Sequence, residues 1–83
     1  MSLAGNVREL FALIHVDRSL LLQEVIHLCN TYGHDCAEVP RQDLQDIKRM
    51  ASQGLRNAEQ VTSEMANTLL RDLLRITHHE HAC

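Results

Sequence analysis

Histidine and cysteine side chains recur in this chain at spacings that suggest metal coordination. The segments His27-Leu28-Cys29 and His34-Asp35-Cys36 repeat one pattern seven residues apart. A larger group lies in the C-terminal tail and consists of His78, His79, His81 and Cys83. Imidazole and thiolate groups are ligands that zinc, nickel and copper favour. One hypothesis is therefore a metal-binding or metal-sensing protein that holds Zn, Ni or Cu through the loop and tail residues.

Helix geometry argues against an ion shared within the first pattern. Residues two apart on an α-helix point about 200° away from each other, so His27 and Cys29 cannot face the same ion. Cys29 also falls on an apolar stripe, where a small buried thiol is the ordinary role. The tail residues are the better ligand candidates, but a solvated chain end is the simpler interpretation of them. The leading hypothesis therefore contains no cofactor.

Catalytic motifs give little support for an enzyme. The sequence has no G-x-G-x-x-G segment, no phosphate-binding loop and no G-x-S-x-G elbow. His34, Asp35 and Cys36 could supply a nucleophile and a base. Catalysis also needs a concave site that excludes water, which a helical hairpin does not provide. We expect a non-enzymatic protein.

Basic residues line part of the second half of the chain. They are Arg41, Lys48, Arg49 and Arg56. A solvated helix face explains them, and nucleic-acid binding is the alternative. The chain carries 8 Lys+Arg against 11 Asp+Glu, a formal net charge of −3, whereas phosphate binding favours a basic excess. Nucleic acid is therefore an improbable partner.

Apolar residues in the first half repeat at intervals of three and four, which is the period of an amphipathic helix. The stripe runs through Leu3, Val7, Leu10, Ile14, Leu21, Val25, Leu28 and Tyr32. It predicts one helix over about residues 2–32, closed by Gly33 at its C-terminal cap. The next position of this stripe after Ile14 is polar, since Asp17 or Arg18 falls there. The alternative is a break near Asp17, where Asp17 or Ser19 would cap a further helix and give three helices in all.

The second half continues the helical period without interruption by proline. Pro40 suits a first helical turn, and apolar residues follow at helical spacing from Leu44 to Ile76. The pattern predicts a loop over residues 33–39 and a helix over about residues 40–78. The expected fold is an all-α helical hairpin, with residues 1–83 forming a single domain.

The apolar content of the first helix exceeds what one packed face can bury. The residues off the main stripe are Leu13, Val16, Leu20 and Ile26. Small residues on the long helix, namely Ala51, Gly54 and Ala58, suggest a close helix crossing, and a tolerated or kinked Gly54 is the alternative. These seven residues form a hypothetical interface in a dimeric four-helix bundle, unless a third helix covers the excess within the chain.

The chain has 3 cysteines, an odd number that cannot all pair internally, which favours a reducing, cytoplasmic setting. Neither a signal peptide nor a membrane-spanning run is expected. The function predicted from the sequence is a small helical protein-interaction module of the adaptor, chaperone or inhibitor type. We expect it to self-associate as a homodimer and to bind a protein partner.

Overall fold

The computed structural model describes residues 3–35 and 41–79, and this part of the chain is all-helical, without strands. The prediction of an all-α fold is thus confirmed. The number of helices differs from the predicted hairpin, because each of the two long helices is interrupted. The four helices are α1 (Leu3–Leu10), α2 (Arg18–Asp35), α3 (Arg41–Arg56) and α4 (Ser63–His79).

The predicted continuous helix over residues 2–32 is wrong, and the alternative of a break near Asp17 is confirmed, since α1 ends at Leu10 and α2 begins at Arg18. A 3-10 turn over Phe11–Leu13 follows α1. Asp17 then caps α2, because its Oδ1 accepts a hydrogen bond of 3.0 Å from the backbone N–H of Leu20. Of the two predicted capping residues, Asp17 has this role. The carboxylate satisfies an end-of-helix donor that a continuous helix would have bonded internally.

The predicted continuous helix over residues 40–78 is also wrong. After α3 the backbone N–H of Asn57 bonds to the carbonyl of Gly54 at 3.2 Å, and a 3-10 turn follows over Ala58–Gln60. Thr62 then caps α4, because its Oγ1 accepts a hydrogen bond of 3.1 Å from the N–H of Met65. Residues 57–62 therefore form a linker that lets α4 leave the direction of α3.

The predicted helix end at Gly33 is wrong as well, because α2 continues to Asp35. A glycine inside a helix costs about 1 kcal/mol relative to alanine. The helix nevertheless continues through Gly33 to Asp35 despite that cost. The first residues of the predicted loop over 33–39 are therefore helical, and residues 36–40 lie outside the described part.

The four helices share one core and pack mainly as two pairs. Helix α2 packs against α3, and α1 packs against α4. The largest fully buried side chains are Tyr32, Leu21, Leu22, Leu70, Leu73, Val7 and Val25. Helices α3 and α4 contact each other less extensively than α2 and α3 do, and a cleft lies between α3 and α4. The fold thus provides a groove that a closed hairpin would lack.

Candidate binding groove

An open groove of about 730 Å³ lies between the second half of α3, the linker over residues 57–62 and the first half of α4. Its surface is mostly apolar, and it is open to solvent on one side. Leu22 of α2 reaches it from below, so three helices and the linker contribute to it. A groove of this form requires the second helix to break, because a continuous helix would leave no angle between α3 and α4.

The floor of the groove consists of buried side chains and one glycine. Leu22, Val61, Ala66 and Leu69 are each buried in the common core and line the groove from beneath. Gly54 lies where a Cβ atom would come within 3.0 Å of Leu22 Cδ1 and 3.2 Å of Val61 Cγ2. The missing side chain therefore allows α3 to approach α2 and the linker closely.

Two methionines project from the walls, one from each helix. Met50 on α3 is 47% exposed and Met65 on α4 is 54% exposed. Methionine has three rotatable bonds and a polarizable sulfur, so it adapts to apolar partners of different shape. The sequence pattern placed Met65 on the apolar stripe of the second helix and did not single out Met50, so the exposed pair was not predicted. The signal was that both methionines occur at or beside the apolar stripe, but the angle between α3 and α4 could not be read from it.

The charged residues that line the groove are acidic. Glu64 and Asp72, both on α4, line it, together with amide and hydroxyl side chains such as Gln53, Asn57 and Thr68. Asp72 lies 3.7 Å from Arg75 in an exposed ion pair. Such pairs contribute little, about 0–1 kcal/mol. The rim therefore presents two accessible carboxylates beside an apolar floor.

Arg18 connects the linker to the start of α2. Its Nη1 donates a hydrogen bond of 2.6 Å to the Val61 carbonyl, and its Nε donates one of 2.9 Å to the Ile14 carbonyl. The guanidinium is partly buried, and its bond to Val61 joins two residues that lie 43 positions apart in the chain. In the sequence, Arg18 was recognisable as a polar residue at the apolar seam, but its partner was not.

The predicted interface residues of the first half separate into two groups. Leu13 and Ile26 are partly buried and pack against the core. Val16, in the turn before α2, is 78% exposed, and Leu20, in the first turn of α2, is 41% exposed. Internal packing thus covers part of the apolar excess, and an exposed pair remains.

The small residues Ala51, Gly54 and Ala58 do not lie on one helix. Ala51 is fully buried within the chain's own core, and Gly54 makes its close approach to Leu22 of the same chain. Ala58 belongs to the 3-10 turn that follows α3. The close crossing that these residues predicted is found between α2 and α3 of one chain, while their role between two chains stays a hypothesis.

The side chains of the predicted metal ligands of the tail lie outside the described part of the chain. Glu80 to Cys83 lie outside the described residues, and so do the side chains of His78 and His79. Within the described part, no group of three or more His, Cys, Asp or Glu side chains is placed to hold a metal ion. Cys29 is buried, and this burial raises the pKa of its thiol from 9.0 to about 11, while nearby Lys48 lowers the pKa by less.

The basic residues of α3 are all exposed. They are Arg41, Lys48, Arg49 and Arg56. Arg49 forms an ion pair with Asp46 three residues earlier, which is a common arrangement on a solvated helix. None of the four lines the groove. The basic face and the groove are therefore separate features of the described surface.

Among the described residues, no helix combines the length and apolarity needed to cross a bilayer. Comparison with protein-family models, with curated proteins and with solved structures finds no match to this chain.

Proposed function

We propose that this protein is a small, non-enzymatic interaction module whose groove between α3 and α4 binds the apolar face of a helix from a partner protein. Adaptors, small chaperones and inhibitors work in this way. The observation that carries the proposal is the groove itself, with its volume of about 730 Å³, its buried apolar floor and an exposed methionine on each wall.

The shape of the groove favours a helix over a small ligand. Sites for small molecules usually enclose about 70–90% of the ligand surface, whereas this groove is open on one side. An amphipathic helix needs to bury a single face and leaves its polar face in water. Flexible methionines at such sites let different apolar side chains fit the same surface. The openness to water also suits binding better than catalysis.

Self-association is the second part of the proposal. Val16, just before α2, and Leu20, in its first turn, are exposed apolar residues four positions apart. Two copies that meet across a twofold axis would cover these side chains. The assembly would be a homodimer of four-helix chains, since one chain already supplies four helices and their core. We place the dimer in the cytoplasm, because the buried Cys29 thiol is free and a reducing compartment keeps it so.

Binding to the groove is tested with a fluorescently labelled model helix that has a leucine-rich face and a neutral polar face. We expect wild-type protein to bind it and the double variant Met50→Gln/Met65→Gln to bind at least about tenfold more weakly, since loss of roughly 1.4 kcal/mol of apolar contact has that effect. Glutamine has nearly the same length as methionine, so the fold should persist, which circular dichroism checks. Equal affinity of the two proteins would refute the groove as the binding site.

The matched control is Val16→Gln/Leu20→Gln, which alters two exposed apolar residues outside the groove. We expect it to bind the model helix as wild type does and to lose self-association. Light scattering measures the oligomeric state of both variants at micromolar concentration. A monomeric wild-type protein would refute self-association. Helix binding by the groove would then be judged by the peptide result alone.

A further inference from the structure

We infer that the natural occupant of the groove is a cationic amphipathic helix, with lysine or arginine side chains that pair with Glu64 and Asp72. This inference rests on the proposed function and specifies the partner's chemistry. Its basis is charge complementarity, because among the described residues the charged side chains that line the groove are these two carboxylates, with no lysine or arginine beside them.

The two carboxylates have a spacing that an α-helix can match. Glu64 and Asp72 are eight residues apart on α4, which is about 12 Å along the helix axis. An occupant that lies along α4 would place cations seven or eight residues apart, about two helical turns, beside the same carboxylates. Its apolar residues between those cations would face the floor at Leu69 and the Met65 side chain. One helix lying along α4 could therefore contact the apolar floor and both carboxylates at the same time.

Both carboxylates are available to a partner. Glu64 is exposed in the first turn of α4. Asp72 is 39% exposed at its side chain, and its pair with Arg75 at 3.7 Å is long and exposed. A partner cation can therefore compete with Arg75 at little cost. A partner with acidic flanks would instead place like charges together, which weakens binding.

The experiment compares two labelled helical peptides of about 18 residues, or five turns, with the same leucine face. One peptide carries lysines seven residues apart beside that face, and the other carries glutamates at the same positions. With two exposed ion pairs at stake, we expect wild-type protein to favour the lysine peptide by roughly 2- to 30-fold. We also expect this preference to decrease as salt is raised from about 50 to 500 mM.

Charge reversal provides the decisive variant. Glu64→Lys/Asp72→Lys should reverse the preference, so that the glutamate peptide binds more tightly. A gain in affinity for one peptide cannot result from unfolding. The control Glu9→Lys/Asp43→Lys makes the same change in net charge at two exposed residues that do not line the groove, one of them also in a first helical turn. It should keep the wild-type preference.

The possible outcomes separate this inference from the proposed function. If both peptides bind equally, or if both double reversals shift the preference alike, the cationic partner is refuted while the groove still binds helices. If neither peptide binds, the proposed function fails as well. If Met50→Gln/Met65→Gln turns a dimer into a monomer, a second copy of the chain occupies the groove and the inference is overturned.

Discussion

Replacement of Arg18 by alanine should destabilise the protein more than any substitution of an exposed charge. The guanidinium holds the Val61 carbonyl at 2.6 Å and the Ile14 carbonyl at 2.9 Å, and it is partly buried. The alanine variant loses both hydrogen bonds. It also leaves the carbonyl of Val61, a residue that is itself buried, without this donor.

The expected magnitude follows from the type of bond. A hydrogen bond from a charged donor contributes about 1.5–3 kcal/mol. The bond to Val61 closes a contact between distant parts of the chain, whereas the bond to Ile14 lies within one turn and contributes less. We therefore expect Arg18→Ala to lower the free energy of unfolding by about 2–3 kcal/mol, the upper part of the range for one hydrogen bond from a charged donor. Arg18→Lys should recover part of this loss, because one ammonium can reach Val61 but lacks the fork that serves both carbonyls.

Urea unfolding followed by circular dichroism measures the effect. With a slope of about 1 kcal/mol per molar urea for a small domain, the midpoint should fall by about 2–3 M. Arg71→Ala, which removes an exposed arginine of α4, is the matched control and should change stability by less than about 0.5 kcal/mol. If Arg18→Ala lies within about 0.5 kcal/mol of that control, Arg18 does not brace the linker.

Three further predictions test other parts of the fold. Asp17→Ala should lower stability by about 1 kcal/mol through loss of the cap on α2, whereas Ser19→Ala should have little effect; equal losses in urea unfolding would contradict the assignment. Gly54→Ala should destabilise by about 1 kcal/mol, because crowding of Leu22 at 3.0 Å costs more than the helix gains; a more stable variant would show that Leu22 moves away freely. Burial raises the pKa of Cys29 in the folded state from 9.0 to about 11, so its stabilising effect is complete below pH 9 and is lost as pH rises through 11. The difference in unfolding free energy between wild type and Cys29→Ala should shrink across that range by about 2–3 kcal/mol, and a constant difference would contradict it.

Much of the core could be predicted from the apolar period. The residues of the first stripe from Val7 to Tyr32 are buried, and so are Leu44, Ile47 and Ile76 of the second. Burial follows the stripe across both breaks except at Met65, which is exposed beside the groove, because each new helix resumes the packing on the same core. The all-α class therefore followed from the sequence, while the number of helices did not.

The breaks depend on interactions that local patterns do not encode. Asp17 could either occupy the seam of a long helix or cap a new one, and the sequence contains no proline or glycine there to decide between them. At the second break, Val61 keeps the helical period although it lies in a linker. Its position depends on Arg18, whose contact with it spans 43 residues. Such a contact requires knowledge of the tertiary fold.

The break between α3 and α4, which the apolar pattern did not predict, creates the candidate site. A hairpin of two unbroken helices would align α3 and α4 and would have no groove between them. Arg18 holds the linker that separates them through its hydrogen bond to the Val61 carbonyl. Gly54 lets α3 pack closely against Val61 of the linker and Leu22 of α2. Stability and binding are therefore coupled at this place. Arg18→Ala should weaken binding of the model helix even under conditions where the variant is fully folded, since a linker released from α2 no longer fixes the angle between the walls. If the folded variant binds with wild-type affinity, the groove keeps its shape without Arg18, and stability and binding are not coupled through this residue.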